Sequence, residues 1–189
     1  MRVRLVYSKR YGACFVPHIA LAQIFSRSAL RAGLTPIMTQ GFSPRAKISF
    51  APELPAGVAA LNEPVDMFFQ DTDKDIITDM NAALPEGFSI SRALFPEENS
   101  PSLGKLCTHA EYFLRCKQEI PSGFFGASMV NTEYIDGWLK IIISAPAQNP
   151  IGGLVKFMVR ENIISGWHEI NIVRSSIGTL TGGKVEIHE

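Results

Sequence analysis

The sequence predicts an α+β fold, a ferredoxin-like split βαβ sheet with helices on one face, followed by a second, smaller half of related α+β type. Three observations predict it. Residues 1–95 carry the order strand, helix, strand, strand, helix, strand, which is the split βαβ pattern. After a polar, proline-bearing stretch the pattern resumes as strand, strand, helix, strand. The 189 residues, 46% of them hydrophobic, are enough for one domain or two small fused halves with a packed core. The expected division is a core over residues 1–96, a linker over 97–105 and a C-terminal half over 106–189 packed on the first.

Each element has its own signal. Arg2 to Tyr7 alternates, with Val3 and Leu5 on one face and Arg2, Arg4 and Val6 on the other, so a half-buried strand is expected. Ala13 to Val16 is expected to return as a short strand. Pro17 suits a first helical turn, where a missing N–H has no bond to lose. From His18 to Ala32, Leu21, Ala22, Phe25, Ala29 and Ala32 recur at spacings of three and four and form an apolar stripe. Gly33 then ends the helix, because it enters the left-handed region without steric cost. Pro36–Thr39 and Ala46–Phe50 are expected as strands around the loop Gln40–Arg45, and Pro64–Gln70 as a further strand. Asp71–Leu84 is expected as a helix whose early aspartates suit the positive end of the dipole. Phe88–Phe95 completes the first half.

In the second half, strands are expected at Thr108–Ile120, Tyr134–Ser144 and Trp167–Val173. Asn149 is expected to cap a helix with Pro150 in its first turn, and Leu154, Val155, Met158 and Val159 would face inward. Residues 121–131 show no periodicity, and the tail after Gly178 is expected to be loose.

Charge is distributed unevenly. Residues 1–50 contain no Asp or Glu and carry +8, from Arg2, Arg4, Lys9, Arg10, Arg27, Arg31, Arg45 and Lys47. The chain is neutral overall, so residues 51–189 carry −8. Such a split points to an anionic partner for the N-terminal part. No apolar run approaches the ~20 residues that span a bilayer, and the alternating start is unlike a secretory signal, so a cytoplasmic protein that does not enter membranes is expected. Three cysteines without a Cys-x-x-Cys pair, and four histidines without a His-x-x-x-His pair, give no metal site and no disulfide framework. No cofactor motif appears.

The most informative stretch is Gln40-Gly41-Phe42-Ser43-Pro44-Arg45-Ala46-Lys47. Gly41 permits a tight turn and Pro44 stiffens it, so Arg45 and Lys47 are presented at little ordering cost. Gln40 and Ser43 add hydrogen-bonding groups, and Phe42 either packs inward or stacks on a base. Arg27 and Arg31, four apart on the first helix, either meet phosphates or form a solvated face with packed stems. Lys9 and Arg10 join this set. His18 opens the first helix. It is read either as a general base or anion-binding imidazole beside free backbone N–H groups, or as a helix-start histidine without chemistry.

Tyr7-Ser8-Lys9, Gly12, His18, Arg31-Ala32-Gly33-Leu34, Gln40-Gly41-Phe42-Ser43-Pro44 and Lys47-Ile48-Ser49-Phe50 resemble the DUF2344, or radical SAM-linked, protein family. Leu54-Pro55 with Gly57 and Leu84-Pro85 with Gly87 continue the resemblance, which covers about residues 2–95. Beyond that it is carried faintly by Asn149-Pro150 and Arg174-Ser175. The resemblance implies company with a radical SAM enzyme and an RNA-related role. The chain has no Cys-x-x-x-Cys-x-x-Cys motif for an iron–sulfur cluster of its own. It also departs from the family pattern: Pro17 stands for a serine, Ala20 for an aspartate, Gln23 for an arginine, and Ser43 and Arg45 for asparagine and histidine. Without that aspartate beside His18, a non-catalytic accessory role is expected, binding RNA or another polyanion through Lys9, Arg10, His18, Arg27, Arg31, Gln40, Ser43, Arg45 and Lys47. The alternatives are a small enzyme on a phosphate-bearing RNA with His18 as general base, and a protein–protein adaptor for a separate radical SAM enzyme.

Overall fold

A computed structural model describes residues 1–70, 73–121 and 123–188 of the chain. Among these, nine strands and four α-helices form a mixed α/β protein around one mostly antiparallel sheet. The first half holds β1 (Arg2–Lys9), α1 (His18–Arg31), β2 (Ile48–Phe50), β3 (Ala59–Phe68), α2 (Ile76–Ala83) and β4 (Phe88–Leu94). The second holds α3 (Leu103–Leu106), β5 (His109–Cys116), β6 (Met129–Ile135), β7 (Trp138–Ser144), α4 (Ile151–Arg160), β8 (Ile170–Thr181) and β9 (Lys184–Glu186). The sheet order is β4-β1-β3-β8-β5-β7-β6, with β2 added to β3 and β9 to β8. The two halves are joined within the sheet, because β3 and β8 pair in parallel at Ala59–Ala60 and Val173–Arg174.

One core lies between α1, α2 and the first half of the sheet. Val3, Leu5 and Tyr7 of β1 meet Leu21, Phe25 and Ala29 of α1 there. Burying side chains of this kind contributes roughly 1.5–3 kcal/mol each. The other core gathers Leu154, Val155 and Met158 of α4 with Tyr112, Leu114 and Ile141 of the sheet. β1 is buried on both faces rather than half-buried, since Arg4 and Val6 are 0% exposed. The cover on the second face comes from the stretch expected as a linker. Leu103 in it is 0% exposed, and the carbonyls of Ser100 and Pro101 accept hydrogen bonds from Arg2 and Arg4.

Other expectations are corrected. Residues 11–15 form a 3-10 turn, with Ala13 and Cys14 tucked inward, in place of a return strand. Ala22 of α1 is exposed, and Ser28 takes the inward place. Between residues 36 and 47 there are only the single pairings Pro36 with Phe69 and Met38 with Ala46. β3 begins five residues earlier than expected, at Ala59. α2 starts at Ile76, because Asp75 caps it, its carboxylate accepting from the amides of Ile77 and Thr78. Asp71, where that helix was expected to begin, lies outside the described residues. Asn149 does not cap α4; its Nδ2 donates to the carbonyls of Ser144 and Ala145. The tail is ordered by β9, with Val185 and Ile187 buried. Gly33 does end α1, at φ +70°. Among the described residues, no helix is long and apolar enough to cross a membrane.

Candidate nucleic-acid interface

The nine residues singled out in the sequence do not form one face. Gln40, Ser43 and Arg45 sit on an exposed hairpin. Its neck is closed by the Thr39 amide donating to the Arg45 carbonyl at 2.7 Å and the Arg45 amide donating to Thr39 Oγ1 at 3.1 Å. Lys47 N also donates to the Ile37 carbonyl at 2.8 Å. Phe42 stands at the tip, fully exposed, and therefore does not pack inward. Lys47 lies at the foot, its ammonium 4.2 Å from the centroid of the Phe68 ring. Beside it opens a cavity of about 720 Å³, lined in part by Ile37, Lys47, Phe68 and Phe95. The hairpin thus combines an exposed aromatic, a free guanidinium and a ring-bearing hollow.

Arg27 and Arg31 are exposed on α1, and Arg10 is exposed beside Tyr11. Lys9 is a correction. It is 2% exposed, with its ammonium 3.4 Å from the Val16 carbonyl, so it is not on the exposed basic surface. Desolvation holds its pKa below the usual lysine range, opposed by the nearby Cys14 thiol and Glu63. Arg2 and Arg4 are likewise spent inside the fold, on Asp66. The +8 of the first fifty residues therefore overstates the positive charge that a macromolecule would meet.

His18 is half-buried at the start of α1, its ring edge-on to Phe50 at 5.4 Å. Burial lowers its pKa, while Glu53 works in the other direction. The field at His18 and Lys9 also includes Glu63 and Arg174, an ion pair that the sequence reasoning did not assemble. Arg174 reaches Glu63 with Nε at 2.6 Å and Nη2 at 2.5 Å, and donates to the Pro52 carbonyl at 3.0 Å. Both residues are almost fully buried. Desolvation pulls the guanidinium pKa down, but Glu63 and Tyr112 outweigh it and leave it above its ordinary value. The resemblance at Arg174-Ser175 was the only signal of this centre. The cysteines are free thiols.

Burial raises the pKa of Tyr7 and Tyr112 and pushes Cys107 up to about 12. This fixes the sign of the alkaline response. In the unfolded chain the tyrosines lose their protons near pH ~10 while the folded chain keeps them, so the native state binds more protons and stability falls as pH rises. Lys9 has the opposite sign, but its contribution is complete by pH ~10.5. Above that, Tyr7 gives a slope approaching ~1.4 kcal/mol per pH unit, and Tyr112 and Cys107 add to it with the same sign. Urea unfolding is expected to show lower stability at pH 11 than at pH 8, with a smaller drop in Tyr7→Phe. An equal drop in that variant would remove Tyr7 from the account.

A comparison with curated proteins finds no match. The model of the family described as "Uncharacterized protein conserved in bacteria (DUF2344)" matches residues 2–148, from β1 past the end of β7. With that match running across both halves of the sheet, the chain belongs to the DUF2344 family.

Proposed function

We propose that this protein is a non-catalytic binding module for RNA, with the hairpin at residues 39–45 as a contact. One observation carries the reading: Phe42 is fully exposed at the tip of a closed hairpin that also presents Arg45. An exposed ring at such a place gains nothing from the fold. Stacked on an unpaired base it contributes about 1–3 kcal/mol, while the adjacent cations meet phosphates. The cavity at Lys47 offers room for a second splayed ring.

The order β4-β1-β3-β2 in the first half supports a ferredoxin-like reading, and β8-β5-β7-β6 supports a related arrangement in the second. That supports a division at about residues 97–105, with the connecting segment packed down.

The test is RNA binding at two salt concentrations by wild type, Phe42→Ala and the Arg45→Ala/Lys47→Ala double variant. Phe42→Ala is expected to weaken binding about tenfold or more. The double variant is expected to flatten the dependence of log K on log salt by about 1.4, the value for two phosphates on a single strand. Unchanged affinity in both would remove the hairpin from the interface. A second reading, an adaptor for a separate radical SAM enzyme, is favoured by Phe15 and Ile19, which are 73% and 88% exposed. No RNA binding by wild type at low salt would favour it.

A further inference from the structure

We propose that the part of the sheet face opposite α1, α2 and α4 that the segment before α3 leaves open is a second RNA-binding surface, which takes a single strand lying across the sheet in a polar trough. The inference shares the RNA premise above, but other residues carry it. Two cavities, of about 490 and 410 Å³, open on this face and share Asn62 in their walls. Together they are lined from six adjacent strands: Ser89 of β4, Ser8 of β1, Asn62 of β3, Ser176 of β8, Glu111 of β5 and Lys140 of β7. Six strands at a spacing of ~4.8 Å give a path of about 24 Å. That is long enough for several nucleotides and far longer than a mononucleotide needs.

The floor is low because serines and Asn62 occupy it, and it is fixed by its own hydrogen bonds. Asn62 donates to the Ser175 carbonyl at 2.9 Å, Ser175 Oγ donates to Glu111 at 2.6 Å, and Lys140 pairs with Glu111 at 3.0 Å. The charge along the trough is net positive. Arg10, Arg92, Lys140 and Lys184 line it against Glu111 and Glu186. Among the described residues, Arg10, Arg92 and Lys184 make no ion pair and remain available for phosphates.

One end of the trough is marked by Tyr11. Its backbone has φ +52°, the left-handed region that costs a non-glycine residue about 1–2 kcal/mol. Its ring is 80% exposed, so packing does not repay that strain. The turn is held because the Arg10 amide donates to the Gly87 carbonyl at 2.8 Å. Gly87 itself, at φ +87°, leaves no room there: a Cβ would lie 2.6 Å from the Arg10 carbonyl oxygen. A strained, anchored and exposed tyrosine beside Arg10 is suited to stacking on a base.

The experiment is fluorescence anisotropy of an oligouridylate of about ten nucleotides with the full chain. Tyr11→Ala is expected to weaken binding about tenfold, and Tyr11→Phe to bind as wild type. Arg92→Ala/Lys184→Ala is expected to flatten the salt dependence by about 1.4. If these trough variants bind as wild type while Phe42→Ala loses affinity, the trough is overturned and the hairpin stands. If the trough variants lose affinity and Phe42→Ala does not, the trough stands and the hairpin contact falls. Wild type that binds no oligonucleotide at low salt overturns both.

Discussion

Arg174→Leu is expected to destabilise the protein by about 3–5 kcal/mol in urea unfolding, the range for removing one partner of a buried ion pair. Arg174 is 1% exposed, and its guanidinium holds both oxygens of Glu63, the Pro52 carbonyl and, at 3.4 Å, the Tyr112 hydroxyl. Leucine would leave a carboxylate that is 3% exposed without its counter-charge. The loss falls at a structural joint, since Arg174 lies opposite Ala60 where β8 meets β3 and also ties down the loop that holds Pro52. Glu63→Gln in the same background removes the stranded charge. The double variant is therefore expected to be more stable than the two single effects added together, and nearer to wild type than Arg174→Leu alone. A cost below about 1 kcal/mol for Arg174→Leu would be the behaviour of an exposed pair and would contradict a buried one.

The helices and strands with strong periodicity were legible before the structure. β1, α1, β4, β7 and α4 lie close to where their apolar spacing placed them. What was misread had different physical causes. Asp136-Gly137 was absorbed into a strand, yet both residues have positive φ and form the two-residue turn between Ile135 and Trp138. Asp-Gly is the dipeptide such a hairpin turn requires, so the signal was present and β6 was recoverable from it. Gly182-Gly183 at the β8–β9 turn is the same case. The close packing of the connecting segment was not legible, because Leu103 is one apolar residue among polar ones, and periodicity cannot say that a single side chain fills a gap. Of the candidate site, the hairpin was legible through its glycine, proline and cations. The Glu63–Arg174 pair was not, because 111 residues separate its members. Nor was the fate of Lys9, which depended on the 3-10 turn packing over it.

Asp66→Ala is the second substitution expected to cost about 3–5 kcal/mol, and it bears directly on the charge argument. Asp66 accepts from Arg4 at 2.8 and 3.2 Å and from Arg2 at 2.6 and 3.1 Å. Arg4 is 0% exposed, and its remaining partners are the carbonyls of His188 and Pro101. Without Asp66, two guanidiniums stand two residues apart on one strand face with only neutral acceptors. The repulsion is expected to be relieved by release of the parts that supply those carbonyls, the segment before α3 and the tail after β9. Hydrogen exchange is the deciding measurement. Amides of the β8–β9 pairing around Val185 are expected to lose protection in Asp66→Ala more than amides of the β1–β3 pairing around Leu5. Equal loss at both places would mean that Arg4 serves global stability without holding the tail. Either way, Arg4 is no surface cation and Arg2 is committed to Asp66, so the case for an anionic partner rests on the exposed Arg10, Arg27, Arg31, Arg45 and Lys47, with Arg92 and Lys184 in the trough. RNA affinity should accordingly respond to these residues.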